Sequence, residues 1–253
     1  MSDKKIEIYI AVHKKANVLR REGYIPLHVG AEGKEDLGFV KDNTGDNISC
    51  KNPNYCELTG LYWIWKNCNA DIVGLVHYRR YFVKSFFTTN IEKAITKDII
   101  KYLQKYDVIL PKPYWTYKKT VEEQYSADHN IEDYKKLRNI IEKNTPEYLD
   151  AFDKISKRRY FYNFNMFIMD KKLFNEYAKW VFFILEELEK QVDISNYNDY
   201  NKRIYGFLSE RLFNVWIEKH QELKIKTLYA NNVERKPWVD NVRNLKSKLL
   251  TKV

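Results

Sequence analysis

Asp71-Ile-Val-Gly-Leu-Val-His77-Tyr78-Arg79-Arg80-Tyr81-Phe82 is the stretch that decides the fold. Ile72–Val76 is an apolar run between polar flanks, the pattern of a strand buried on both faces. Such strands belong to α/β sheets, and in open α/β sheets their carboxyl ends face the ligand. Here that end carries an imidazole, two guanidiniums and two phenols. Adjacent arginines repel one another, which gives an anionic partner as the reason for the pair. A diphosphate suits them, because guanidinium binds it bidentately. His77 and Tyr78 join Arg79 and Arg80 as candidate contacts to it. The plainer alternative is one arginine paired with a helix carboxylate and the other solvated. Strand alternation predicts that one of Arg79 and Arg80 reaches the ligand while the other braces the turn.

Outward from this strand, Ile6–Val12 and Ile25–Val29 read as two more strands. The first is followed by His13-Lys14-Lys15, a basic cluster at the same sheet edge, so His13 and Lys14 are further candidates; solvated loop lysines are the alternative. Asn52-Pro53 opens a helix, with Asn as cap and Pro at the first position, running to Asn67. Further helices are expected at 91–104, 121–126, 131–142, 146–155, 171–191 and 201–219. Strands are expected at 107–110, 160–169 and 223–229. Strands separated by helices predict an α/β fold with a mixed, mostly parallel central sheet, and the second half reads as helix-rich. Residues 34–50 and 111–130 read as loops over a site. No repeat or low-complexity linker divides the chain.

The chain has 253 residues and a net charge of +10, from 44 Lys+Arg against 34 Asp+Glu. That sign suits phosphates, nucleic acid or an anionic membrane face. The basic residues are scattered without a nucleic-acid-binding pattern, so a nucleic-acid partner is not expected. Aromatic residues make up 15% of the chain, a richness that suits sugar stacking and equally suits ordinary packing. No apolar run is long enough to span a bilayer, and Met1–Lys5 leads into a strand without a signal-peptide core. Cys50, Cys56 and Cys68 form no CxxC pair and read as structural thiols in a reducing compartment. The expected location is cytoplasmic, with a basic amphipathic tail at 236–253 that suits the inner face of the membrane.

Glu57, near a helix start, gains from the helix dipole, and that is a sufficient structural reason for it; ligand binding is the other reading. Asp128-His129 follows an aromatic segment and is a candidate substrate contact. Asn165 is an amide within an apolar run, to be satisfied by a loop or by a sugar hydroxyl. On the 203–216 helix, Ile204, Leu208, Leu212, Val215 and Trp216 share one face. Glu210 falls nearly opposite, beside Gly206, Phe207 and Asn214, so that face is expected to be covered by protein or substrate. Glu210 is the general-base candidate, with Arg203 or Arg211 to hold it ionised; a structural Glu–Arg pair is the alternative. The chain has no GxGxxG, no P-loop, no HExxH and no Asp-x-Asp. Without Asp-x-Asp, arginines are slightly favoured over a divalent metal for diphosphate charge, and no metal ligands are assigned.

Asn47–Asn52, Tyr55-Cys-Glu-Leu-Thr59 with Tyr62-Trp63 and Trp65-Lys-Asn67, and Gly74–Phe82 together resemble a family of bacterial glycosyltransferases. These act in capsular and exopolysaccharide synthesis and were long catalogued as a domain of unknown function. Asn165–Met169 and Gly206–Leu212 resemble the family's second-half motifs. The resemblance spans about residues 6–230. It implies a GT-A-like fold over 1–235, with a donor half at 1–110 and an acceptor half at 111–235. It also implies hexosyl transfer from a nucleoside-diphosphate sugar, with UDP favoured, to a glycan or lipid-linked acceptor. Inversion at the anomeric carbon is expected. Some members resemble galactofuranosyltransferases, which would imply UDP-galactofuranose. In this frame Asp128, His129, Asn165, Arg203 and Arg211 fall in the acceptor half.

Overall fold

The computed structural model describes residues 4–251, the side chains of residues 237 and 238 apart. The strands are β1 (Ile6–Val12), β2 (Tyr24–His28), β3 (Val40–Lys41), β4 (Ile72–His77), β5 (Arg80–Val83), β6 (Val108–Pro111), β7 (Tyr114–Trp115), β8 (Tyr160–Phe161), β9 (Phe167–Asp170) and β10 (Ile225–Asn232). The helices are α1 (Asn52–Tyr55), α2 (Leu58–Asn67), α3 (Asp98–Leu103), α4 (Val121–Asp128), α5 (Ile131–Asn144), α6 (Leu149–Lys157), α7 (Lys171–Glu189), α8 (Ile204–Lys219) and α9 (Pro237–Thr251).

Alternation along β1 sends Ile8, Ile10 and Val12 to one apolar layer and Tyr9 and Ala11 to the other. β4 does the same, with Ile72 and Val76 on one side and Val73 and Leu75 on the other. Both strands are therefore covered on both faces, as their apolar runs predict. The layer beneath Tyr9 and Leu75 is the larger and is built on α2, α5, α6, α7 and α8. Gly74 in β4 lies 2.9 Å, measured from an added Cβ, from both the Ile168 side chain and the Phe167 carbonyl. A side chain there would push β9 off its partner.

The sheet order is β3-β2-β1-β4-β5-β10-β6-β9, with β9 also paired to β4. Parallel pairings join β3, β2, β1 and β4, and β10 to β6. Antiparallel pairings join β4 to β5 and β9, β10 to β5, and β6 to β9. The sheet is thus mixed rather than mostly parallel. The expectation failed at β5, which reverses in a two-residue turn without glycine, and at β9, which runs antiparallel to both β4 and β6.

Several expected elements are broken. The 52–67 helix splits at Cys56, whose φ is +53°. The 160–169 strand splits into β8 and β9 around Phe164 and Asn165, with φ of +75° and +51°. The 111–130 segment is more than a loop, holding β7 and α4, the latter started by a Thr120–Glu123 capping box.

α9 docks by its polar side. Asn241 donates to the Phe86 carbonyl at 2.9 Å, and Asn244 donates to the Pro113 carbonyl at 2.9 Å and accepts from Trp115 N–H at 2.8 Å. Leu245 and Leu249 point outward, 50% and 60% exposed. Residues 1–3, the Trp238 side chain and residues 252–253 lie outside the described residues.

Candidate active site

β1 has β2 on one side and β4 on the other, and the chain reverses its order there. Ligands of open α/β sheets sit outside the strand carboxyl ends at such a switch point. A cleft of about 600 Å³ opens at that place. Its cationic side is made by His13 and Lys14 after β1, and by His77, Tyr78, Arg79 and Arg80 at the end of β4. The rest of the lining includes Asn52, Cys56, Glu57, Phe164, Arg203 and Glu210, and Phe164 meets the cationic side directly.

The cationic side is made by strand endings. β4 and β5 form a tight hairpin with His77 opposite Arg80 and Tyr78-Arg79 as the turn. Because the turn interrupts the pleat, alternation does not apply, and both Arg79 and Arg80 line the cleft. Tyr78, 4% exposed, is the platform. His13 meets its ring edge-on at 5.3 Å, with Lys14 at 5.4 Å and Arg79 at 5.7 Å. Arg80 lies over the Phe164 ring at 4.2 Å. Among the described residues, Lys14, Arg79, Arg80 and Arg203 form no ion pair, whereas neighbouring Lys15 pairs with Glu35 at 2.9 Å. Unpaired cations gathered around a concavity focus positive potential there.

The carboxylate side is made by the break between β8 and β9. Phe164 N–H donates to Glu210 Oε1 at 2.7 Å, and its carbonyl accepts from His77 Nε2 at 2.6 Å. Asn165 Nδ2 donates to Glu57 Oε1 at 2.8 Å and to Ser209 Oγ at 2.9 Å. Two consecutive left-handed residues therefore bind both carboxylates and the imidazole. Non-glycine residues in this region store strain, and such strain concentrates at functional sites. α8 approaches closely because Gly206 has no Cβ; one added there would stand 3.1 Å from Cys56 Sγ. Gly30, at φ +64°, plays the same part after β2, where a Cβ would stand 2.3 Å from Asn52.

Burial dominates the electrostatics. It raises Glu210 above the usual carboxylate range, Arg211 opposes the rise, and nearby Glu57 adds to it. Glu57 is likewise raised by burial, against its bond from Asn165. Burial lowers His77 to about 4, so its ring is neutral near pH 7. The carbonyl of Phe164 only accepts, which places the ring proton on Nε2. The Cys56 thiol is pushed up to about 11, first by burial and then by Glu57.

The structure brings together His13, Lys14, Glu57, His77, Tyr78, Arg79, Arg80, Arg203 and Glu210 from the expected set. It leaves Asp128, His129, Asn165 and Arg211 outside the cleft lining. Asp128 is exposed on α4 and bonds Gln124. His129 stacks on Phe207 at 4.2 Å and bonds Asn201. Asn165, 2% exposed, stands behind Glu57 as a brace. Arg211, 2% exposed, is the cation beside Glu210 Oε2 at 3.2 Å; Arg203 instead donates to Cys56 Sγ. The Glu210 face of α8 is covered by protein, through Cys56, Tyr162 and Phe164. Asn52, Cys56 and Phe164 also line the cleft and are not among the expected site residues; Gly30 and Gly206 leave room for Asn52 and Cys56.

Among the described residues no three of His, Cys, Asp and Glu cluster as metal ligands, and no helix is long and apolar enough to cross a membrane. The family described as a domain of unknown function, DUF4422, matches residues 7–221, and the chain belongs to it. The solved apo structure of WbbM, a bifunctional glycosyltransferase, is similar to it, with 35% identity and a TM-score of 0.84. That match covers 92% of this chain and 46% of WbbM, so the chain spans under half of that protein's length. No curated protein matches.

Proposed function

We propose that the chain is a glycosyltransferase that moves a hexose from a nucleoside-diphosphate sugar to a glycan or lipid-linked acceptor. The observation that carries this is one cleft lined by two unlike sets of groups: Lys14, Arg79 and Arg80, unpaired among the described residues, and a braced Glu210. The likeness to WbbM over most of this chain supports the reaction class. UDP is the favoured nucleotide, UDP-galactofuranose is one donor to test, and capsule or exopolysaccharide synthesis is the expected setting.

In this reading the donor diphosphate lies along the cations. Glu210 takes the proton of an acceptor hydroxyl, and the oxygen attacks the anomeric carbon. The bond to the nucleotide breaks in the same displacement, inverting that carbon. Lys14, Arg79 and Arg80 stabilise the charge on the departing diphosphate without a metal. Neutral His77 holds the Phe164 carbonyl and so keeps the Phe164 N–H aimed at Glu210. The test is incubation with a panel of nucleotide sugars, with and without Mn²⁺, and assay of nucleotide release. Absence of both binding and nucleotide release with every donor would sink the reading.

The outward apolar side of α9, with Arg243, Lys246 and Lys248 on the same helix, supports seating on an anionic membrane surface. Flotation with anionic vesicles should be lost in a Leu245→Glu/Leu249→Glu variant. Equal flotation of both proteins would remove α9 from that role.

A further inference from the structure

A second cavity, of about 240 Å³, lies on the far side of the Arg80–Phe164 stack. Both residues line both cavities, so a single cation–π pair is the partition between them. The backbone of Phe164 donates to Glu210, which puts the proposed base at that partition. Lys112, Arg235 and Arg243 stand at the second cavity's rim, and none is ion-paired among the described residues. Asp240 is the one carboxylate that lines it among the described residues. Lys112 lies over Tyr229 at 4.1 Å, held in place by a ring rather than by a counter-ion. Asn241 and Asn244 of α9 form part of the wall, and the other side of α9 is the exposed apolar row. Phe87, 70% exposed, follows Phe86, whose carbonyl accepts from Asn241.

From this juxtaposition we propose that the second cavity binds the phosphate end of the acceptor, a phosphate or diphosphate ester of an amphiphile. Its charge meets Lys112, Arg235 and Arg243, and its apolar chain leaves past Phe87. The sugar end then crosses the Arg80–Phe164 partition to reach Glu210. This deepens the glycosyl-transfer reading and rests on it for the word acceptor.

The test is calorimetric titration of the full chain with citronellyl diphosphate, inorganic pyrophosphate and a neutral octyl glucoside, each below its micelle concentration and with UDP saturating. Citronellyl diphosphate is expected to bind with UDP present and more tightly than the other two. Lys112→Ala/Arg243→Ala should weaken it about tenfold or more while UDP affinity stays unchanged, as loss of charged hydrogen bonds predicts. Complete competition by UDP, or undiminished binding to the variant, would overturn the proposal. Equal or tighter binding of pyrophosphate would overturn the amphiphile in favour of free phosphate. If UDP fails to bind while citronellyl diphosphate binds and the variant loses it, the donor reading falls and the phosphate-ester site stands.

Discussion

The two walls of the cleft are built by opposite means. The cationic wall is what regular strands leave behind at their carboxyl ends, and its lysine and arginines form no ion pair among the described residues. The carboxylate wall is held by an irregular segment, and its two carboxylates accept from the Phe164 backbone and the Asn165 side chain. Under the proposed reading, the wall of free charge binds the donor and the wall of braced charge is preorganised for chemistry, at a cost in strain and burial. Changes on the first wall should therefore move binding and spare stability, and changes on the second should move rate or stability and spare binding.

The largest expected effect is on the second wall. Glu210→Gln should lower kcat by about 10² to 10⁴, the usual worth of a general base, with donor affinity unchanged in calorimetry. Retained turnover would remove Glu210 as the base. On the first wall, Arg79→Ala should weaken donor binding about 10- to 100-fold, from the loss of charged hydrogen bonds. Its melting temperature should hold or rise, because like-charge repulsion is relieved. A marked fall would mean that Arg79 braces the hairpin, and the comparison would break there.

Asn165→Ala should cost about 2 kcal/mol in denaturant unfolding, since a buried carboxylate loses its donor. Asn165→Gly should be milder by about 1 kcal/mol, because glycine accepts the left-handed backbone without a Cβ penalty. Equal losses would leave strain out of the account. The smallest effect concerns pH. Glu210 must be ionised to act and its folded pKa is raised, so kcat/KM should fall as pH drops through a value above the ordinary carboxylate range. Glu57→Gln removes a repulsion that contributes to that rise, so the acid limb should move to lower pH. An unmoved limb would uncouple the two carboxylates.

The same division governs what was legible in the sequence. The apolar run Ile6–Val12 predicts β1 with its ends intact, and Ile72–Val76 predicts the end of β4 with its basic turn, because periodicity and residue type report regular strands faithfully. His13, Lys14, Arg79 and Arg80 follow from that reading alone. The carboxylate wall was legible only in part. Glu210 emerged because a helix face bearing glycine and phenylalanine could not be solvent-facing, yet nothing local announced the breaks at Cys56, Phe164 and Asn165. Left-handed backbone is normally flagged by glycine, and here the tertiary contacts impose it on Cys, Phe and Asn. Asn165 was read as a choice between loop and sugar, and its partner turned out to be a carboxylate more than a hundred residues earlier. β9 shows the same limit: its antiparallel place beside β4 depends on Gly74 admitting Ile168, a pairing across the chain that no window of sequence contains.

Arg80 has a consequence beyond either wall, because it lines both cavities. One guanidinium cannot fully neutralise two anions. Under the two-site reading, occupancy of either cavity weakens the other, and thermodynamic reciprocity makes the factor the same in both directions. Negative cooperativity would then speed release of the spent nucleotide as the next acceptor arrives, with turnover paced by a side chain that need not touch the transferred sugar.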